Sequence, residues 1–389
     1  MEAIKRLNIE TDYQAIFQLS EFAFQYELAE SEVAAKIEDA KRHTIWGWMD
    51  GEKIAAKLHL LPLSVYIQGR KFSMGGVASV ATWPEYRRQG MAKHLMKHAI
   101  HYMRDHGQVV SFLAPFSYAF YRQYGWEHAF NLKHYTIPIE VLRKNWDTTG
   151  YVRRIKDYDP VLDDVYTSYA KRFAGAMARD VQWWKQRVLR KEYYIAVAYT
   201  ADGTANGYVL YQVKDNKVTV SELAFCSLDG QKQLLQFIAN HDSMAKEVSM
   251  VVPENDPLPL LVDNPRFQQE IRPYFMARIV DVLAFLKQYP FTAGTEAIFL
   301  SVIDDFVDEN SGLYQLKPGQ NGVDVQRLDT QEKPASVIEV SIQQLTTIML
   351  GFTRPLELLS LEKMKGDPLA VQHLETWIPA QQTYTSDYF

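Results

Sequence analysis

Residues 43–84, HTIWGWMDGEKIAAKLHLLPLSVYIQGRKFSMGGVASVATWP, constrain the fold more than any other stretch of this 389-residue chain. Asp50-Gly51 and Gln68-Gly69 mark hairpin turns, so the stretch reads as three or four consecutive strands. An amphipathic run comes next. Ala92, Leu95, Met96, Ala99, Ile100 and Met103 form one stripe at helical spacing, whereas Lys93, Lys97, His101 and Arg104 face away. QVVSFLAPF then reads as a short strand buried on both faces. Upstream, TDYQAIFQLSEFAF has helical spacing, with Thr11 or Asp12 as its cap. Helix, strands, helix and strand in this order predict an α/β layer.

Near residue 145 the pattern starts again. YVRRIKDYDPVLDDVYTSYAKRF and RDVQWWKQRVLR read as helices, YYIAVAYTADGTANGYVLYQVKDNKVTVSELAFCS as three strands, DGQKQLLQFIANHD as a helix and EVSMVVP as a strand. The same order in a diverged sequence predicts an internal structural repeat. After the Pro-rich surface segment PENDPLPLLVDNPRF, the run YFMARIVDVLAFLKQYPF leads into a third block of strands followed by helices. The expected fold class is α/β (α+β), with domains at 1–145, 146–285 and 286–389.

A chain of this length exceeds one ordinary core. Its net charge of -5 argues against general nucleic-acid binding. No run approaches a membrane span, and the N-terminus lacks an apolar core of signal-peptide length. The single cysteine, Cys226, permits no internal disulfide, which points to a reducing cytoplasm. Cys226 itself reads as a small buried strand residue. No Cys/His cluster has metal-ligand spacing, so no metal is expected.

The chemistry concentrates in PEYRRQGMAKHLMKHA, residues 84–99. A buried strand turning through Arg-Arg-Gln-Gly into a helix offers unpartnered N–H groups and the positive end of the helix dipole. Gly90 lets a ligand approach the backbone, and Arg87 and Arg88 can add charge-assisted bonds to phosphate. The spacing is neither a Walker loop nor the dinucleotide pattern G-x-G-x-x-G. On this stretch alone, a phosphate loop and an ordinary helix start with solvated arginines both stay open. The second block has SLDGQKQ in the corresponding place, without the arginines.

The stretch resembles the coenzyme A loop of the GNAT acetyltransferases, Arg/Gln-x-x-Gly-x-Gly/Ala, here Arg87 to Ala92. The preceding GVASVATWP matches that family's fourth strand. SYAFYRQYGWE looks like its Tyr-x-x-x-Gly-Phe segment, with Tyr121, Gly125 and Trp126 in place of the phenylalanine. Two GNAT-like domains followed by a sterol-carrier-like domain is the plan of the Eis (enhanced intracellular survival) type. MARIVDVLAFL and VIEVSIQQLTTIMLG are similar to the beginning and the strand-helix of that type's third domain, and the chain ends, as there, on a C-terminal Phe, Phe389.

The resemblance implies an acetyl-CoA-dependent N-acetyltransferase. Val80, Ala81 and Thr82 would bind the pantetheine arm and acetyl oxygen, and Arg87, Arg88, Gln89, Gly90, Met91 and Ala92 the pyrophosphate. Tyr121 would be the general acid, since a phenol and a thiol have comparable acidities. The C-terminal carboxylate of Phe389 would be the base; a free carboxylate of pKa about 3.5 needs partial desolvation or a bridging water for that role. Glu27 and Asp387, with Glu21 beside them, are candidate acids for a cationic acceptor.

The implied acceptor is a small-molecule amine of aminoglycoside type or a lysine side chain, and the implied assembly a homo-hexamer. No nucleic-acid or membrane partner is expected. Two rival functions remain at this level: a lipid carrier with an accessory acetyltransferase domain, and a coenzyme A sensor without turnover.

Overall fold

The computed structural model describes residues 3–292, 294–320, 322–329 and 334–389. Two seven-stranded mixed sheets and one four-stranded sheet form three layered domains. In the first sheet the strand order is Ile4–Leu7, Thr44–Asp50, Lys53–Ile67, Arg70–Thr82, Val110–Leu113, Met276–Ile279 and Glu127–His128. The three antiparallel strands of 44–82 are joined at the two expected turns; Gln68 and Gly69 both take left-handed backbone, at φ 49° and 72°. Helix Met91–Asp105 packs Leu95, Met96, Ala99, Ile100 and Met103 against Leu58, Leu60 and Trp46, as its apolar stripe requires. Helices Ile9–Phe24 and Glu30–Ala40 pack at the same sheet. The first is capped by Asn8, whose Oδ1 accepts the Glu10 N–H at 2.9 Å, rather than by Thr11 or Asp12, which lie inside the helix.

Two strands cross between the first two sheets. Strand Asn131–Pro138 leaves the first block and pairs between Glu247–Val252 and Gln268–Pro273 of the second sheet. Met276–Ile279 does the reverse, inserting between Val110–Leu113 and Glu127–His128 of the first. The crossing is therefore reciprocal: each strand pairs on both sides within the sheet that it joins, which ties the two domains together. The second sheet continues with Lys217–Phe225, Ala205–Lys214, Tyr194–Tyr199 and Tyr151–Ile155.

Two stretches read as helices are helical only in part, or not as regular α-helix. Residues 151–155 pair with Tyr194–Tyr199 as an edge strand, and the helix starts only at Pro160, capped by Asp159. RDVQWWKQRVLR forms one short turn, Val181–Trp183, continuing as a π-helix over Trp184–Val188; both tryptophans are buried. Cys226 lies just beyond strand Lys217–Phe225 and is exposed, not a core residue.

In the third domain the sheet order is Gly322–Leu328, Gly312–Gly319, Ile298–Ile303 and Ile338–Ser341. Helix Ile342–Leu350, started by a Ser341–Gln344 capping box, joins helices Val282–Gln288 and Pro368–Trp377 in a core continuous with Leu61, Leu63 and Phe112 of the first domain. No helix among the described residues is long and apolar enough to cross a membrane.

Candidate active site

The site begins where two parallel strands part. Arg70–Thr82 pairs with Val110–Leu113 through Met74, Gly75 and Gly76 only. Beyond Gly76 the strand runs on to Thr82 without that partner, so its backbone groups on that side face an opening. On its other side the register slips: Lys57 faces Ala81 and His59 faces Ala78, leaving Ser79 and Val80 opposite Leu58 alone. This bulge holds Ser79 at φ 51°, left-handed backbone that a serine adopts only when its surroundings enforce it.

The strand ends in a loop that meets helix Met91–Asp105. Arg88 at φ 65° and Gly90 at φ 80° turn the chain so that the helix starts without a side-chain cap and without an acidic residue in its first turn. Its first N–H groups stay available, with Arg87 and Arg88 exposed beside them. A groove of about 710 Å³ joins this loop to the parted strands. Val80, Ala81, Thr82, Arg87, Arg88, Gly90, Met91 and Ala92 all line it. Gln89 does not; its amide turns back to the Glu85 carbonyl at 3.1 Å. The facing wall comes from Ala23 and Phe24 of the first helix and from Phe116, Phe120 and Tyr124.

Tyr121 sits in the short helix Tyr118–Arg122, which Ser117 caps by accepting the Phe120 N–H. Its ring lies edge-on to Phe116 and Phe120, centroids 5.4 and 5.1 Å away. Burial raises its hydroxyl well above the ordinary value of 10.0, with Tyr124 adding to the effect, so the phenol keeps its proton. The following Gly125, at φ 86°, passes directly over Arg278, whose guanidinium donates to the Tyr124 carbonyl and pairs with Asp304 of the third domain. The third domain thereby fixes the backbone of the tyrosine segment.

The C-terminal tail returns to the first domain. Gln382–Thr383 pairs with Phe173–Ala174, and the Phe389 ring packs on Gly76, where a Cβ would lie 2.6 Å from Phe389 Cε2. Phe275 supports that ring at 5.1 Å. A Cβ on Gly75 would lie closer still, 2.2 Å from Met103 Sδ on the helix side. The two glycines thus admit the helix from one face and the tail from the other at the point where the strands separate.

Asp387 is not open to a ligand. Its carboxylate accepts Arg179 Nε at 3.0 and 3.1 Å, Trp183 Nε1 at 2.7 Å and Tyr166 Oη at 3.2 Å, and its side chain is 2% exposed. Arg179 also forks onto Glu222 at 2.8 and 2.5 Å. Glu21 holds the Leu28 N–H at 2.8 Å. Glu27 is exposed in the connection between the first two helices.

In the second domain the corresponding strands, Lys217–Phe225 and Glu247–Val252, also part, after Val220 and Met250. Beyond Val220, Glu222 holds Arg179, which holds Asp387 of the tail. The next helix, Leu228–Ala239, is capped by Ser227 Oγ, which accepts the Gly230 N–H at 3.2 Å, and Asp229 stands in its first turn. A Cβ on Gly230 would lie 2.2 Å from the Asn206 carbonyl, so no anion can approach there.

Sequence reasoning missed Lys57, His59 and His43. Lys57 and His59 are 0% and 6% exposed beneath the bulge. Their trace in the sequence is KLH, two polar residues at strand spacing inside an apolar run. Among the described residues no group of three or more His, Cys, Asp or Glu could hold a metal ion.

Three family models match the chain: an acetyltransferase (GNAT) domain over residues 3–129, a second acetyltransferase (GNAT) domain over 175–279, and a sterol carrier protein domain over 282–386. An uncharacterized N-acetyltransferase of Streptomyces griseus is 23% identical, over 73% of this chain and 74% of its own. A probable N-acyltransferase of unknown function from Enterococcus faecalis is 27% identical and superposes at a TM-score of 0.91 over 99% of both chains. Eis1 of Mycobacterium abscessus shares the fold, with 20% identity and a TM-score of 0.83 over 99% of this chain and 100% of that one. The protein is an enzyme of the acetyltransferase class, built from two GNAT domains and a sterol-carrier-like domain.

Proposed function

We propose that the protein transfers an acetyl group from acetyl-CoA directly to a primary amine, in the manner of the Eis type, at one site per chain in the first domain. The observation that carries this reading is the groove running from the uncapped helix and its two arginines to the parted strands, with Phe389 docked on Gly76 at the parting point. The helix N-terminus and arginines suit a pyrophosphate. The backbone of Val80 to Thr82 on the side where the parallel strands have parted suits a pantetheine amide and the oxyanion that develops when the amine attacks.

The C–N bond forms as the thioester C–S bond breaks. Tyr121, which burial keeps protonated, gives its proton to the departing thiolate. The C-terminal carboxylate takes the proton that the attacking nitrogen loses, directly or through a water. The acceptor is a polyamine of aminoglycoside type or a lysine side chain, and the exposed Glu27 would attract it. Asp387 serves instead to anchor the tail. The assembly on this reading is a cytoplasmic hexamer.

A panel of aminoglycosides, polyamines and lysyl peptides, assayed for acetyl-CoA-dependent thiol release, tests the reading. Tyr121→Phe should lower the rate on any accepted amine about a hundredfold. An unchanged rate refutes the acid role, and no release with any amine refutes the amine acceptor.

A further inference from the structure

Lys57 is a fully buried lysine, and burial lowers it to about 7 with no carboxylate to offset the cost. An ion pair therefore does not explain its place in an apolar strand, but its hydrogen bonds do. Nζ donates to Ser79 Oγ at 2.6 Å and to the Ser79 carbonyl at 3.3 Å, and lies 3.2 Å from His59 Nε2. A neutral amine has two N–H donors and one lone pair. Ser79 takes both donors, and the lone pair can accept the N–H of a His59 protonated on Nε2.

Ser79 is the residue that most needs holding. At φ 51° its Cβ crowds the backbone, a conformation that glycine takes freely and serine does not. With Val80 it lies opposite Leu58 in the bulge, so the regular ladder does not hold it in place. The two Lys57 bonds close on the side chain and the carbonyl of this one residue, which fixes its side-chain rotamer and its ψ together. Ser79 Oγ also lies 3.4 Å from Ser20 Oγ, and Ser20 donates to the Ile16 carbonyl at 3.1 Å. Ser20 precedes Ala23 and Phe24 on the helix that forms the facing wall of the groove.

Val80 follows Ser79 and lines the groove. The Ser79 carbonyl and the Val80 N–H share one peptide plane and, in a trans peptide, point in opposite directions. A bond from Lys57 to that carbonyl therefore aims the Val80 N–H away from Lys57. The strand that carries Lys57 lies on the opposite side of Arg70–Thr82 from Val110–Leu113, the strand that parts to open the site.

We propose that Lys57 is a positioning residue for acetyl transfer: it holds the Ser79 peptide so that the Val80 N–H meets the acetyl oxygen as negative charge develops there. This rests on the acetylation reading above. Lys57 touches no reacting atom and exchanges no proton; it keeps an aimed donor from turning.

Ser79→Ala and Ser79→Gly separate the lock from the packing. Both lose Oγ, but alanine keeps the cost of left-handed backbone and glycine removes it. Ser79→Ala should have a kcat at least about fivefold below that of Ser79→Gly, and equal values overturn the role. Lys57→Met should lower kcat by about tenfold or more, while the Kd for coenzyme A, set at Arg87, Arg88 and the helix start, stays within about twofold. Adding Ser79→Gly to Lys57→Met should recover about threefold or more, because glycine needs no lock. A lysine that only fills space or carries a proton would show no such rescue, and its absence overturns the positioning role. If the wild type acetylates no amine, the functional reading fails by itself, and amide hydrogen exchange in the ligand-free protein decides the lock. Exchange over residues 78–82 should then quicken about tenfold in Lys57→Met relative to residues 110–113 of the same sheet. Equal changes in the two segments overturn it.

Discussion

Lys57→Met tests the electrostatics of the first domain without any assumption about substrate. In the unfolded chain Lys57 titrates at its ordinary 10.5, whereas in the folded protein burial lowers it to about 7. Between these values the unfolded state holds a proton that the native state lacks, so stability rises with pH across that window. The gap is worth about 5 kcal/mol in full, at about 1.36 kcal/mol per pH unit. From pH 7 to 9 the wild type should therefore gain about 2 kcal/mol over the variant. Below pH 7 Lys57 is protonated in both states and the difference should level off. The variant also loses the bonds to Ser79 and His59, so its absolute stability is not the test; the slope of the difference is. Paired thermal melts in matched buffers at constant ionic strength measure that slope. Parallel curves above pH 7 would refute a neutral buried lysine.

Three further outcomes follow from the site. Replacing Arg87 and Arg88 by alanine should weaken acetyl-CoA binding by about 1.5–3 kcal/mol for each charge-assisted bond lost, read by calorimetry with the melting temperature unchanged. Arg179→Met leaves Asp387 and Glu222 buried without their cation, at a cost of about 3–5 kcal/mol. The tail should then become sensitive to carboxypeptidase and kcat should fall; a protected tail would refute its anchoring by Arg179. Gly76→Val places methyl groups where the Phe389 ring lies, so kcat should drop while the Kd for acetyl-CoA stays within about twofold, a change of about 0.4 kcal/mol.

What the sequence disclosed was local. The loop at Arg87 to Gly90 stood out because a glycine and two arginines directly precede an amphipathic stripe, and the structure brings Arg87, Arg88 and Gly90 to one groove while the stripe packs in the core. The hairpins were legible because Asp50-Gly51 and Gln68-Gly69 carry their own turn geometry. The reciprocal crossing of Asn131–Pro138 and Met276–Ile279 was not, since strand alternation says which face is buried but not which sheet supplies the partner. Residues 151–155 were misread because an edge strand exposed on both faces lacks a clean period of two. Asp387 was read as an open acid because its partners Arg179, Trp183 and Tyr166 lie more than two hundred residues away. Lys57 and His59 left only a polar pair within an apolar strand, a pattern that a surface-facing strand shares.

The second domain explains how the tail is held. Both domains part a parallel strand pair next to a bulge, at Gly76 in the first and Val220 in the second. In the first, small residues and an uncapped helix leave that gap open. In the second, Ser227 closes the helix end, and Glu222 holds Arg179, which in turn holds Asp387. Two residues later the chain ends with Phe389 on Gly76. A short tail would ordinarily fray. Here a buried arginine side chain shared between two carboxylates clamps it, so the seat of the Phe389 ring on Gly76 depends on ion pairs that the second domain supplies. The dependence has a direction: weakening Glu222 or Arg179 should disable the first domain without touching its groove, whereas weakening the arginine loop should leave the tail in place.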